Sequence, residues 1–470
     1  MLFNSLTFLV FFAIVFTLYS LVSGWNRKKA VLLIGSYVFY AAWNPPYVAI
    51  LLFSTTLDWW LARLIWKSDD DRRRRWLLVV SLVANLSLLG FFKYGGFLLA
   101  NLKDILLAVG VAYAPPDWSI ILPVGISFYT FASLSYTIDV YRREVRGDCG
   151  FLDYALFVSF FPHLVAGPIV RARVLLPQIR EPRHATRDEI GWGLALVVIG
   201  LFCKVVLADN LFAPVVDAVY AQPAAYGPLE TAAAVLGFSG QIYYDFSGYS
   251  LCAIGLALCF GFAFPDNFRH PYAARGFSDF WRRWHITLSS WLRDYLYISL
   301  GGNRGGEWRT YRNLMLTMLL GGLWHGASWM FVLWGGLHGA YLSIERWLRG
   351  RSRVPEGAPL RPEIALTLAT FLIVTLTWIP FRSADPATAW QILQGFVRTA
   401  DTHMPAGPLY ACLIGIGLTL GWQWNVRDTS LEAMFDKFSE GARAAVLVAC
   451  LIAMFLYSGG DERAFIYFQF

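Results

Sequence analysis

His325 stands in the apolar stretch GGLWHGASW, residues 321–329, where an ionisable side chain is unusual. Ionisable residues at membrane depth are rare and usually serve function, because an unpaired polar group in hydrocarbon costs free energy. The glycines around the ring let other groups approach it closely, and Trp324 and Trp329 offer it an aromatic wall. We therefore expect His325 to be a catalytic residue.

The chemistry expected of this histidine is general-base catalysis without a metal. The motifs H-E-x-x-H, G-x-S-x-G, Walker A and the dinucleotide glycine pattern have no credible match in the chain. A positioned histidine can remove the proton of an attacking hydroxyl, which accelerates a reaction roughly 10²- to 10⁴-fold. A thioester supplies its own leaving group. Acyl transfer from a donor such as acyl-CoA to a hydroxyl therefore fits best.

The other six histidines fit structural roles at least as well. His338 follows His325 by thirteen residues, and a hydrogen bond to a neighbouring helix is its simpler interpretation. His163 either lines a cavity or packs. His285, in FWRRWHITLSSW, either takes part in catalysis or lies at the headgroup level. Solvated or structural roles are expected for His184, His270 and His403.

Asp245 lies within the polar run SGQIYYDFSGYS of an otherwise apolar segment. Such a run is costly when it faces lipid, so it either lines a cavity or clamps helices together. The polar neighbours in this run are Gln241, Tyr243, Tyr244, Ser247 and Tyr249. Asp58 and Asp139 are interpreted as helix-end residues without a functional role.

The composition indicates that a membrane scaffold positions these residues. Of the 470 residues, 57% are hydrophobic and 15% are charged, whereas a soluble domain is about 25% charged. The net charge of +7 comes from short basic stretches between apolar runs, which indicates topology rather than nucleic-acid binding. The six cysteines form no C-x-x-C pair and are expected to be packing residues.

The apolar runs predict one continuous membrane domain over residues 1–470. The positive-inside bias places the N-terminus outside and the basic loops in the cytoplasm. The first apolar stretch, Leu6 to Tyr19, is expected to be a retained span rather than a cleaved signal. Further spans are predicted at 30–43, 46–66, 76–98, 119–141, 189–208, 228–263, 364–381, 407–424 and 441–458.

Two apolar segments lie between basic stretches and break this alternation. Residues 151–170 are expected to enter the membrane and return, with Pro162, Gly167 and Pro168 as helix breakers. Residues 313–345 are too few for two full crossings, so a hairpin of short or tilted helices is predicted. Its bend, marked by Gly321, Gly322 and Gly326, would carry His325 near the middle of the bilayer.

Residues 266–304 mix Trp, Tyr and Arg with too many charges to span a membrane. The mixture predicts an interfacial helix against the cytoplasmic leaflet, beginning at Asp279 with Ser278 as its cap. This segment is expected to form part of a cytoplasmic entrance.

Taken jointly, several motifs resemble the membrane-bound O-acyltransferase family, and most closely its bacterial branch that acts on alginate and peptidoglycan. These motifs are GGLWHGASWMFVLWGGLHG, FWRRWHITLSSWLRDYLYISLGGNR, LPVGISFYTFASLSYTIDVYR, FFPHLVAGPIVR, QIYYDFSGYSLCAIGLALCFGFAFPDNF and the terminal FIYFQF. The resemblance implies an all-α polytopic fold with about eleven spans, plus re-entrant and interfacial helices, around a central tunnel. It implies catalytic roles for His325 and His285.

The same resemblance implies the substrates and the location. The donor would be acetyl-CoA or another cytoplasmic thioester, without a tightly bound cofactor or metal. The acyl group, most simply acetyl, would cross a bacterial inner membrane to an extracytoplasmic polysaccharide, with a periplasmic partner of the SGNH-hydrolase type. Trp324, Asp245, Tyr244 and Ser247 are the candidate tunnel residues. Arg282 and Arg283 are candidates for attracting the phosphates of the donor.

A structural or scaffold role would leave His325 unexplained, and two other alternative functions stay open at this point. One is D-alanyl transfer from a carrier protein, which is a related reaction. The other is secondary transport, in which an intramembrane histidine and broken helices serve a translocation pathway. Such transporters usually contain paired repeats, and this chain shows none.

Overall fold

The computed structural model of the chain describes residues 1–116, 118, 120–352, 363–400, 403–457, 463, 465 and 466. Across these residues the regular structure is helical, with no strand. Six helices in the described part of the chain are long and apolar enough to cross a membrane: Tyr47–Lys67, Asp71–Ala108, Arg187–Ala221, Pro228–Cys259, Glu363–Arg382 and Glu440–Tyr457. The predicted all-α polytopic membrane class is confirmed. The number of spans stays a prediction.

The chain forms two compact units. The single membrane domain over residues 1–470 stays a prediction. The first unit comprises residues 1–194 and 253–265. Its helices are α1 (Leu6–Leu21), α2 (Trp25–Ala41), α3 (Tyr47–Lys67), α4 (Asp71–Leu89), α5 (Gly95–Ala108), α6 (Ile126–Tyr141), α7 (Phe151–Ser159), α8 (Phe161–Leu164), α9 (Ala172–Arg180) and the start of α10 (Arg187–Phe202). A π-helical segment, Gly90–Tyr94, joins α4 to α5.

The predicted re-entrant segment is broken where its sequence indicates. Helix α7 ends at Ser159, and Pro162 stands in the first turn of the short α8. The backbone amide of Phe161 at this break donates to the Ser36 hydroxyl at 3.0 Å. Residues 154–172 are all buried. The broken backbone is therefore enclosed in protein, and entry of this segment into the membrane stays a prediction.

Asp58 lies in the middle of α3 and not at a helix end, so that interpretation was wrong. Its carboxylate is fully buried. It accepts hydrogen bonds from the Ser81 hydroxyl at 2.6 Å and the Asn85 amide at 2.8 Å. Both donors lie on α4. The carboxylate therefore joins α3 to α4, which residue spacing alone does not reveal.

The second unit comprises residues 195–252 and 266–470. Its helices, after the end of α10, are α11 (Ala213–Ala221), α12 (Pro228–Cys259), α13 (Phe277–Arg283), α14 (Ile286–Trp291), α15 (Glu307–His325), α16 (Trp329–Ser352), α17 (Glu363–Arg382), α18 (Pro386–Gly395), α19 (Ala406–Asn425), α20 (Leu431–Phe435) and α21 (Glu440–Tyr457). The last residues of α12 belong to the first unit. π-Helical segments follow α10 at Cys203–Phe212 and α14 at Leu292–Tyr297.

The predicted hairpin around His325 is formed by α15 and α16. Only Gly326 lies at the bend, whereas Gly321 and Gly322 lie inside α15, so their assignment to the bend was wrong. Gly322 instead allows the two helices to meet, since a Cβ there would lie 2.2 Å from the Phe331 carbonyl oxygen. Both helices extend past the predicted limits of 313 and 345, because flanking arginines are part of them.

The segment 266–304 is not one interfacial helix, and Ser278 does not cap it. Helix α13 begins at Phe277 after Gly276, whose φ is +103°. The Glu345 carboxylate accepts hydrogen bonds from the backbone amides of Phe277 at 2.6 Å and Ser278 at 3.0 Å. The cap therefore comes from α16, about 70 residues away in sequence. The helix stops before His285, where the chain turns into α14.

Candidate active site

His325 is the last residue of α15 and is 4% exposed. Its ring packs edge-on against three aromatic rings, with centroid distances of 5.1 Å to Trp324, 5.1 Å to Trp334 and 5.4 Å to Phe381. Trp334 lies on α16 and Phe381 on α17. Trp329, expected in this wall, is 62% exposed. The imidazole is thus enclosed by rings from three successive helices.

His285 is fully buried and occupies the turn between α13 and α14. Its φ is +41°, a left-handed conformation that is unusual for a residue with a side chain. The backbone hydrogen bond from Ile286 to the Asn267 carbonyl, at 2.9 Å, holds this turn. Strained conformations of this kind persist where surrounding contacts fix them, and they cluster at functional sites.

The contacts of Asn267 define the protonation of His285. The Asn267 amide nitrogen donates to the Ser250 hydroxyl at 3.0 Å, so its oxygen faces the ring. That oxygen accepts from the Thr287 hydroxyl at 2.8 Å and lies 3.0 Å from Nδ1 of His285. An amide oxygen only accepts, so Nδ1 carries the proton. Nε2 keeps its lone pair and has no hydrogen-bond partner among the described residues.

Trp324 lies against both predicted catalytic histidines. Its ring centroid is 5.1 Å from His325 and 6.1 Å from His285. Phe246 of α12 packs edge-on against His285 at 4.6 Å. The fold therefore brings residues 285 and 325 into one aromatic cluster, although α14, a π-helical segment, a glycine-rich loop and most of α15 lie between them in sequence.

Asp245 forms a buried ion pair with Lys204, which also pairs with Asp209 at 2.9 Å. The other oxygen of the Asp245 carboxylate accepts from the backbone amide of Ile466 at 3.0 Å. These contacts support the clamp interpretation of the polar run, since they tie α12 to a preceding helical segment and to the C-terminal segment. The remaining residues of the terminal FIYFQF motif, 467–470, lie outside the described residues.

Tyr244 and Ser247, the other candidate tunnel residues of α12, lie near Asp245 on the same helix. The Tyr244 hydroxyl lies 3.0 Å from the Thr419 hydroxyl, and its ring stacks on Phe212 at 6.0 Å. Ser247 is buried. Their roles in a tunnel stay predictions.

The two predicted phosphate-attracting arginines have different surroundings. Arg283 donates to Asp279 at 2.8 Å and to Asp428 at 3.1 Å. Arg282 is exposed. Because two carboxylates neutralise Arg283, Arg282 is the better candidate for an anionic donor, and Arg283 holds α13 against residues 427–428.

The remaining histidines differ in burial. His338 is fully buried, and its Nε2 lies 3.2 Å from the Thr377 hydroxyl of α17, so the predicted hydrogen bond to a neighbouring helix is confirmed. His163 is buried in the first unit, where its ring packs on Phe264 at 5.3 Å. His184 and His403 are exposed. His270 contacts the Thr429 carbonyl at 3.0 Å.

Sequence reasoning missed four residues of this site: Asn267, Trp334, Glu345 and Phe381. Asn267 falls in the PDNF motif, eighteen residues before His285, and only its tertiary contact shows its role. In the described part of the chain, no group of three His, Cys, Asp or Glu side chains is arranged to hold a metal ion.

Comparison with known proteins identifies the family. The model of the membrane-bound O-acyltransferase family matches residues 133–356. A protein named "Probable alginate O-acetylase AlgI" from Azotobacter vinelandii is 43% identical over 406 residues, covering 85% of this chain and 79% of the relative. The chain belongs to the membrane-bound O-acyltransferase family. The resemblance seen in the motifs is thereby confirmed.

This membrane-bound O-acyltransferase also resembles proteins that are named for other acceptors. A "Peptidoglycan O-acetyltransferase" from Helicobacter pylori is 39% identical over 402 residues, covering 78% of this chain and 73% of the relative. A "Teichoic acid D-alanyltransferase" from Streptococcus thermophilus is 28% identical over 276 residues, covering 54% and 66%. The chain is a multi-pass membrane acyltransferase, and its D-alanyl relatives are more distant. The transporter alternative is left without support.

Proposed function

We propose that this membrane-bound O-acyltransferase moves an acetyl group from a cytoplasmic thioester, most simply acetyl-CoA, to a hydroxyl group of an extracytoplasmic polysaccharide. The relatives named for alginate and peptidoglycan O-acetylation support the acetyl group and the class of acceptor. The proposal includes the bacterial inner membrane as location and a periplasmic SGNH-type protein as partner. It also treats the whole chain as one catalytic membrane domain.

The observation that carries the mechanism is the aromatic enclosure of His325, together with the contact of the same Trp324 ring with His285. A neutral imidazole can act as a general base. In a site that excludes water, its lone pair is not occupied by a hydrogen bond from solvent. The enclosing rings carry no group that would compete as a nucleophile. His325 is therefore assigned as the general base.

The proposed step balances with the histidine alone. A nitrogen of His325 takes the proton of the acceptor hydroxyl while the hydroxyl oxygen attacks the thioester carbonyl carbon. The carbon–sulfur bond then breaks, and the sulfur leaves as a thiolate that recovers the proton from the imidazolium. The products are an acetyl ester and a free thiol, and the imidazole is neutral again.

His285 supports this step from its fixed tautomer. With Nδ1 donating to Asn267, its Nε2 lone pair is available to accept a hydrogen bond from the donor or acceptor. Arg282 adds an exposed positive charge three residues earlier, which suits attraction of an anionic donor. Trp324, Asp245, Tyr244 and Ser247 are proposed as tunnel residues.

The test is acetyl transfer by the purified protein in proteoliposomes. Radiolabelled acetyl-CoA is supplied on one side, and alginate oligosaccharides or peptidoglycan fragments on the other, with and without the purified partner. His325→Ala should lower turnover at least about 100-fold. His403→Ala, whose side chain is 80% exposed, is the matched control and should keep wild-type turnover.

Two outcomes would contradict the proposal. Near-normal turnover of His325→Ala would remove the assigned base. Transfer of D-alanine from a loaded carrier protein, with none from acetyl-CoA, would assign the protein to the related D-alanyl reaction.

A further inference from the structure

His338 is a buried histidine that the proposed reaction does not use. It lies on α16 and is fully buried, and its ring centroid is 4.8 Å from that of Trp334. Trp334 also contacts the ring of His325, at 5.1 Å. The Trp334 indole therefore contacts both His338 and the assigned base.

The hydrogen bonds of Thr377 determine the tautomer of His338. The Thr377 hydroxyl donates its one proton to the Val374 carbonyl, at 2.6 Å. The same oxygen lies 3.2 Å from Nε2 of His338, so it accepts a proton from that nitrogen. Nδ1 therefore carries a lone pair, and it has no hydrogen-bond partner among the described residues.

Two indole N–H donors beside this ring are in the same situation. The ring of Trp281 lies 5.2 Å from His338 and 5.8 Å from Trp334. The Nε1 atoms of Trp281 and Trp334 are both buried without a hydrogen-bond partner in the described part of the chain. A buried polar group is stabilised by a hydrogen-bond partner, so these three neighbouring groups offer one acceptor and two donors to a molecule that reaches them.

The hydrogen-bonding groups of His338, Trp281 and Trp334 indicate which kind of molecule would bind there. One acceptor and two donors match a secondary amide, which offers one N–H and one carbonyl oxygen with two lone pairs. The pantetheine arm of a thioester donor contains such amides, the first of them two methylene groups from the sulfur. Trp281 is partly exposed and lies on α13, the helix that carries Arg282. An arm held here would bring its sulfur end toward His325.

We propose that His338, Trp281 and Trp334 form a binding site for an amide of the donor's pantetheine arm. Nδ1 of His338 accepts from the amide N–H, and the indole N–H groups donate to the amide carbonyl. The proposal rests on the proposed function, and it makes His338 a binding residue rather than a purely structural one. Acetyl-CoA and an acylated phosphopantetheine carrier share this arm, so both are sources of the ligand.

The first experiment separates the two nitrogens of His338. His338→Gln keeps a polar group near Thr377 and removes the Nδ1 acceptor, whereas Thr377→Val keeps the ring but no longer fixes its tautomer. The amide site predicts a rise of about tenfold in KM for acetyl-CoA in His338→Gln, with kcat changed less than about twofold. Thr377→Val should raise KM less than His338→Gln does, because only the ring tautomer with a protonated Nδ1 loses the acceptor. The reverse pattern would assign His338 a structural role and overturn the proposal.

The second experiment varies the donor. Wild-type protein should use S-acetyl-N-acetylcysteamine, which has the first amide, about tenfold better in kcat/KM than ethyl thioacetate, which lacks it. His338→Gln should abolish this preference, and His338→Asn, which places an amide near Nδ1, should restore part of it. An equal preference in wild type and His338→Gln indicates bound water instead and overturns the proposal.

Binding without turnover keeps the two proposals distinguishable. Dethia-acetyl-CoA, which cannot transfer its acyl group, should bind wild type about tenfold tighter than His338→Gln by calorimetry in detergent. A phosphopantetheine carrier loaded with acetate should show the same ratio if it is the donor. Loss of turnover in wild type with this ratio intact contradicts only the proposed function, whereas equal affinities contradict the amide site.

Discussion

Nδ1 of His285 donates a hydrogen bond to the side-chain oxygen of Asn267 across 3.0 Å. This contact holds the ring orientation and leaves the lone pair on Nε2. Residues that orient a functional histidine in this way affect activity without touching the substrate. Asn267 is therefore a positioning residue. Its substitution tests the proposed site without changing either histidine.

Asn267→Ala should lower kcat about 10- to 100-fold, because His285 loses the acceptor that fixes its tautomer. The measurement is the steady-state rate of acetyl transfer. A shift in the pH dependence of kcat is the second readout. Ser250→Ala removes only the contact to the Asn267 nitrogen, at 3.0 Å, and is the control with a smaller effect. Equal losses in both variants would indicate general damage to this turn.

Gly322→Ala should destabilise the hairpin that carries His325. The added Cβ would lie 2.2 Å from the Phe331 carbonyl oxygen, which is backbone and cannot move aside easily. Overpacking of this kind costs about 1–3 kcal/mol. Thermal unfolding in detergent measures the effect. Gly336→Ala is the matched control on the same hairpin, since its Cβ would lie 3.5 Å from Leu319 in ordinary contact.

Glu345→Ala should loosen α13, because the first amides of that helix lose their acceptor. A lost cap costs about 0.5–2 kcal/mol. We expect a lower unfolding temperature together with a reduced rate of acetyl transfer, since α13 leads directly into His285. Glu345→Gln keeps an acceptor oxygen and should retain most of the stability. If Glu345→Gln lowers the unfolding temperature as much as Glu345→Ala does, the charge of the carboxylate matters and the cap does not.

A double-mutant cycle distinguishes the clamp from the tunnel at Asp245. Asp245→Leu alone removes the ion pair between Lys204 and Asp245. Breaking a buried ion pair lowers the free energy of unfolding by about 3–5 kcal/mol. Lys204→Met together with Asp245→Leu should recover much of the unfolding free energy. If Asp245 is only a clamp, acetyl transfer should recover in parallel. Recovery of stability with activity still lost would support its place in the tunnel.

Acid should weaken the contact that holds α13 through Asp279. Burial by itself would raise the pKa of this carboxyl, but hydrogen bonds from the Arg275 amide and the side chains of Arg283 and Arg427 lower the pKa below its usual 3.8. A lowered pKa in the folded state gives stability that is present above pH 3.8 and is lost as the pH falls through the lowered value. Unfolding temperature in detergent between pH 5 and pH 3 should fall less in Asp279→Asn than in wild type.

The apolar runs and the basic stretches between them were sufficient to predict the fold class and most of the long helices. Helices α3, α17, α19 and α21 begin and end within about two residues of their predicted limits. A run of apolar residues fixes a helix locally, because every backbone polar group must find its partner within the segment. The motifs also predicted the family, and His325 and His285 as its candidate catalytic residues.

Tertiary structure alone decided which groups meet at the site. The cap of α13 by Glu345, the tautomer of His285 and the contact between Gly322 and Gly335 each join residues that are distant in sequence or on different helices. The expected cap at Ser278 and the expected bend at Gly321 and Gly322 were wrong for this reason. Residue type and spacing determine which helices form. The packing of those helices determines which hydrogen-bond donor or acceptor on another helix each side chain pairs with.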